Sequence, residues 1–218
     1  MATAVTGEPK IKYGPQVKTE GVPNLFEPQT VTPFVPPPPG IDNLGITSTD
    51  TFKVPGVGEF TVDFTGYVRV VRSEPTSDDW TSSEVYTNLL EMHMEGESPE
   101  LGPIQVRLNS DCLSTGMIRT PFADEQATQP AKACRMAVGA IFELPRLGLE
   151  LYNKEPVLLT IDDVCSIPPA GNPGKGQIYQ MLPLYDVANP DAEPVAYLTS
   201  LSFQMGTYLS RAETQAAH

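Results

Sequence analysis

The densest run of chemistry-bearing side chains in this 218-residue sequence is Glu91-Met92-His93-Met94-Glu95-Gly96-Glu97. On a β-strand, Glu91, His93 and Glu95 share one face while Leu90, Met92 and Met94 share the other. An imidazole set among carboxylates can hold a divalent metal or pass protons. A metal site normally takes more than one nitrogen or sulfur ligand, and the only other histidine is the terminal His218. Glu91 and His93 are the candidate catalytic pair. Ordinary burial preferences favour the plainer alternative, a solvent-facing strip opposite a methionine-lined core. No metal ligand and no cofactor-binding residue is assigned.

Other constellations are weaker. Asp186, Asn189, Asp191 and Glu193 offer oxygen ligands, but the calcium loop with its central glycine and closing glutamate is missing. Asn-Pro-Asp is also ordinary turn chemistry, because these side chains bond their own backbone. Gly171-Asn172-Pro173-Gly174-Lys175-Gly176 resembles a phosphate cradle only superficially. Two residues rather than four separate its first glycines, and Gly176 stands where a hydroxyl is needed; a turn is expected. Cys112, Cys134 and Cys165 read as packed thiols, since His93 is the only internal histidine and no local signature supports pairing it with any of them. Seven tyrosines, among them Tyr67, Tyr86, Tyr152 and Tyr185, are candidates for lining a pocket, although aromatics in strands more often serve packing. Trp80 falls in a polar loop.

Charge narrows the partners. Fourteen Lys and Arg stand against 27 Asp and Glu, a formal net charge of −13 that repels phosphate backbones and anionic lipid. Neither nucleic acid nor membrane is expected as a partner. No apolar run approaches the roughly 20 residues that span a bilayer, the start lacks a basic leader and apolar h-region, and an odd, scattered set of cysteines suits a reducing compartment. The expected location is cytoplasmic.

The elements that must position these groups are strands. Glu59 to Thr65 alternates apolar and polar residues at period two, and Val195, Tyr197, Leu201, Phe203 and Met205 lie along a second such run. Candidate strands cover 45–53, 59–72, 84–95, 102–109, 116–120, 133–143, 147–153, 156–161, 177–186 and 194–208, separated by Gly, Pro, Asn and Asp clusters. Gly66 is expected to mark a bulge between Phe64 and Tyr67. The pattern predicts an all-β fold, an antiparallel β-sandwich, with a closed or partly open β-barrel as the alternative. Uneven strand lengths, together with Pro103 and Pro183, tip the reading toward the sandwich.

Three regions follow: an extended proline-rich arm at 1–43, a β domain at 44–209, and a short tail at 210–218 with room for one or two helical turns. The arm holds nine of the 23 prolines yet carries Tyr13, Leu25, Phe26 and Phe34, anchors that a flexible linker lacks. The leading functional reading is a non-catalytic, self-associating binding or structural protein, with the arm as its interaction element. The alternative is a small-molecule cyclase, isomerase or carrier with an aromatic-lined β-barrel cavity that takes an apolar small molecule. On the first reading, deletion of residues 1–43 lowers the oligomeric mass measured by light scattering; an unchanged mass and melting temperature would remove it.

Overall fold

The computed structural model describes residues 38–76, 83–119, 131–164, 173–178 and 181–208. All of them belong to the compact unit Val31–His218. The proline-rich arm up to residue 37, Trp80, Cys165, Tyr179 and the tail with its Ser210–Glu213 capping spacing lie outside the described residues.

Twelve strands form one antiparallel sheet: β1 (Gly40–Val54), β2 (Gly58–Arg72), β3 (Glu84–Ser98), β4 (Gly102–Leu108), β5 (Thr115–Arg119), β6 (Ala131–Val138), β7 (Ala140–Leu144), β8 (Leu149–Asn153), β9 (Val157–Val164), β10 (Pro173–Gln177), β11 (Leu182–Asp186) and β12 (Ala196–Tyr208). The all-β antiparallel class is as the alternation predicts. The sheet closes on itself, because β1 pairs with β12 as well as with β2. Two hydrogen-bonded circuits share the long strands β1, β2, β3 and β12. One is completed by β4, β7, β8 and β11, the other by β5, β6, β9 and β10. The architecture is thus an eight-position ring in which four positions are each filled by two short strands, one in each of two tiers. Strand lengths are uneven for this reason, and not because two sheets face each other.

The prolines obey the same logic. Pro103 pairs with Glu97 of β3, while pairing to β7 begins only at Gln105; Pro183 pairs with Tyr197 of β12, while pairing to β8 begins at Leu184. Each missing N–H falls where a second neighbour has not yet joined.

Alternation along β1 is unbroken. Asp42, Leu44, Ile46, Ser48, Asp50 and Phe52 are buried, while the residues between them are exposed or half-buried. In the tier of β4 and β7, Phe52 meets Phe64 and Phe142 edge to face, with centroids 6.3 and 5.3 Å apart.

Four details depart from the expectations. No register shift occurs at Gly66; the irregularity lies at Arg69/Val70, where Arg69 faces Glu91 and Val70 faces Leu89. Gly66 is needed for close approach instead, since a Cβ there would sit 2.0 Å from the His93 carbonyl oxygen. Leu90 is the extra residue of the bulge and is 44% exposed, so it does not share the Met92 and Met94 face. Residues 133–143 divide at Gly139 into β6 and β7. The predicted strand 177–186 is replaced by β11 and, ahead of it, β10, which occupies part of the expected glycine turn. The glycines of β10 serve packing: a Cβ on Gly174 would lie 2.3 Å from the Phe203 ring.

The break between tiers is stitched by Asn153, which is 2% exposed. Its Oδ1 accepts from the Ala140 N–H at 2.8 Å, and its Nδ2 donates to the Val138 carbonyl at 3.1 Å and the Glu155 carbonyl at 2.7 Å. Ser114 accepts from the Gly139 N–H at 3.2 Å on the neighbouring connection. Asn153→Ala leaves a buried backbone donor and acceptors without partners, and a loss of about 2–4 kcal/mol in urea-unfolding free energy is expected.

Candidate functional site

The inward face of the ring is not solid. At the junction of the tiers lies a cavity of about 40 Å³. β1 contributes Ile46, Ser48 and Asp50; β3 contributes Met92 and Met94; β7 contributes Ala140 and Phe142; β12 contributes Leu198, Leu201 and Phe203. Val106, Val138, Val157, Leu159 and Leu182 complete an apolar wall, with Asn153 at the seam.

Asp50 is 1% exposed, and its carboxylate Oδ1 accepts a hydrogen bond from Ser48. Both side chains lie on one face of β1 because they are two residues apart. Burial away from water pushes the Asp50 pKa up from 3.8 to about 7, and the Ser48 hydrogen bond opposes the rise only in part. Among the described lining residues Asp50 is the one ionisable group. A carboxyl group titrating near neutrality in an apolar cavity can donate a hydrogen bond, accept one, or move a proton.

A second, smaller cavity of about 20 Å³ lies toward the other end of β1. There Asp42 is paired twice with Arg72, Nε to Oδ2 at 2.5 Å and Nη2 to Oδ1 at 3.1 Å. Arg72 Nη1 also donates to the Pro38 carbonyl at 2.5 Å. This buried pair satisfies its own charge. Cys134 lines the same cavity, and burial raises its pKa to about 12, which keeps the thiol protonated and inert at neutral pH.

The structure places the sequence-predicted residues elsewhere. Glu91 and His93 line neither of these interior cavities. Glu91 accepts from the Tyr67 hydroxyl at 2.9 Å, and His93 Nε2 lies 3.3 Å from Glu95 Oε1. Tyr67 stacks at a tilt on His93, with centroids 5.9 Å apart. Its pKa is raised to about 12, first by burial, then by the hydrogen bond and charge of Glu91. None of the described tyrosines lines the cavity. Tyr86 is exposed, and Tyr152 packs on Tyr185, whose ring also carries Lys154 Nζ at 3.8 Å. The pocket wall is aliphatic with Met92, Met94, Phe142 and Phe203, where tyrosines were expected. The Asp186 loop is a turn: the Ala188 N–H donates to Asp186 Oδ1 at 3.0 Å and the Asn189 N–H to its carbonyl at 3.1 Å. Among the described residues, no group of three or more His, Cys, Asp or Glu is placed to hold a metal ion, and no helix is long and apolar enough to cross a membrane.

A family of unknown function, DUF6073, matches residues 1–215. The chain belongs to that family. It is also similar to a solved structure described as DynF from the dynemicin biosynthesis pathway of Micromonospora chersina, with 64% identity, a TM-score of 0.77, and coverage of 92% of this chain and 95% of that one. No curated protein matches the chain.

Sequence reasoning missed Asp50 because Ser48-Thr49-Asp50-Thr51 reads as polar on both faces. The signal that exposes it is the even spacing from Leu44 and Ile46 to Phe52, which turns Ser48 and Asp50 inward. A raised carboxyl pKa means that the folded chain holds a proton the unfolded chain has shed. Stability contributed by this proton is present at low pH and is lost as pH rises toward 7. Wild-type unfolding free energy is therefore expected to fall, relative to Asp50→Asn, by on the order of 3 kcal/mol between about pH 5 and pH 8.5. Urea titrations of both proteins at the two pH values check this; parallel behaviour would refute it.

Proposed function

We propose that this protein binds an apolar small molecule inside its ring, as a carrier or an enzyme of small-molecule biosynthesis. The observation that carries the reading is the interior cavity itself: a wall of aliphatic, methionine and phenylalanine side chains around one buried carboxyl–hydroxyl pair. An eight-position ring is about the size that side chains either fill or leave open for one small ligand. The cavity of about 40 Å³ is well below the roughly 300–1,000 Å³ of a drug-sized pocket. An occupant must therefore displace side chains, and Met92 and Met94 are suited to this, having three rotatable bonds and no branching. Similarity to a protein of a biosynthetic pathway supports the reading from outside the geometry. Self-association through the arm draws no comparable support, since the arm up to residue 37 falls outside the described residues and residues 40–43 belong to β1. If the bound molecule undergoes proton transfer, Asp50 is the lining group able to carry the proton.

The test is titration with N-phenyl-1-naphthylamine, a neutral apolar fluorophore. Saturable binding with one site per chain is expected, weakened at least about tenfold in Ala140→Leu, which puts a branched side chain into the cavity. Circular dichroism confirms that the variant is folded. Absence of saturable binding, or equal binding by a folded Ala140→Leu, would remove the proposal.

A further inference from the structure

The cavity holds features that bear on the kind of molecule it accepts, an inference that rests on the binding reading above. Of its polar lining groups, the Asn153 amide is already spent on Ala140, Val138 and Glu155. Ser48 has given its one hydroxyl proton to Asp50 Oδ1 and has no donor left. Asp50 Oδ2 carries no hydrogen bond among the described residues and is the lining atom that, when protonated, has a donor to offer an occupant. The lining from β3, β4, β6, β7, β8, β9, β11 and β12 contains no ionisable group, and the Arg72 guanidinium lines the other cavity, already held by Asp42.

We propose that Asp50, held by Ser48, selects an occupant whose polar end is a single neutral oxygen function, a ketone or a hydroxyl, and rejects charged ends. An anionic end would enter a space with no cation among the described lining residues to compensate it, next to a second acid. An ammonium end would have to shed its hydration shell in an apolar space, repaid only by one pairing with Asp50. A ketone oxygen needs one donor, which protonated Asp50 supplies. A hydroxyl can both donate and accept, so it fits either protonation state. Because burial moves the Asp50 titration to about pH 7, the two neutral ends differ in pH response. A ketone loses its donor as the acid ionises; an alcohol does not.

The experiment is displacement of N-phenyl-1-naphthylamine by 2-octanone, 1-octanol, 1-chlorooctane, octanoate and octylamine, at pH 6 and pH 8.5, on wild type, Asp50→Asn and Asp50→Leu. For wild type at pH 6, the ketone and alcohol are expected to displace the probe at about tenfold lower concentration than 1-chlorooctane, as one buried hydrogen bond allows. Octanoate and octylamine should be weaker than either neutral oxygen compound at pH 8.5. The ketone should weaken about tenfold from pH 6 to pH 8.5 in wild type and stay level in Asp50→Asn, whose amide donates at both pH values. Asp50→Leu should lose the advantage over 1-chlorooctane at both. Preference for octylamine or octanoate, or a chloride as good as the ketone in wild type, would overturn the proposal while leaving apolar binding intact. Failure of the fluorophore itself to bind would remove the binding reading and this inference together.

Discussion

Closure of the sheet by β1 against β12 is the constraint on which the rest depends. Each described strand then has a hydrogen-bonded neighbour on both sides, so backbone donors and acceptors are spent within the sheet. Closure also makes alternation a statement about inside and outside. A residue on the even face of β1 has no solvent to turn to, which is why Asp42 and Asp50 are buried although each is a carboxylate. Their fates differ by partner: Asp42 has a guanidinium from the adjacent strand β2, Asp50 has one hydroxyl and an apolar wall.

Dividing four ring positions into two tiers has a local cost and a local benefit. The cost is a set of chain breaks at mid-height, where ladder bonds stop and backbone groups lose their partners. Asn153 and Ser114 supply those bonds from side chains. The benefit is that side-chain layers of the two tiers need not mesh there. Val138 and Ala140 flank the Gly139 break, and small residues at that height leave the cavity between them. The same junction that demands a buried amide therefore creates the space beside the buried acid.

Much of the sheet was legible in the sequence because period-two alternation and Gly/Pro/Asn punctuation report directly on pleat and turn. β2, β3, β4 and β12 lie within a few residues of their predicted spans for that reason. What failed was local accommodation. Gly66 is read from sequence as a bulge and Gly174 as part of a turn, but both stand within strands where another chain segment approaches too closely for a Cβ, while Gly139, read as lying inside one strand, divides two. The bulge that ejects Leu90 follows from pairing with β2, which no window around Leu90 reveals. The ionisable group that lines the interior cavity is not the histidine that residue type singles out. His93 draws the eye by type, whereas Asp50 matters by environment, and environment is a property of the closed ring.

The pairing of β1 with β12 carries irregularities at Leu44/Ile46 and at Thr51/Phe52, and Ser48 and Asp50 lie between them. Bulges absorb a single extra residue; regular ladder does not, since a slip of one turns every side chain to the opposite face. Both irregularities place their extra residue on β12, while β1 pairs with β2 without a shift from Gly40 to Val54. Drift in strand length, common elsewhere in β-proteins, is therefore closed to β1 around the buried acid and is taken up by β12.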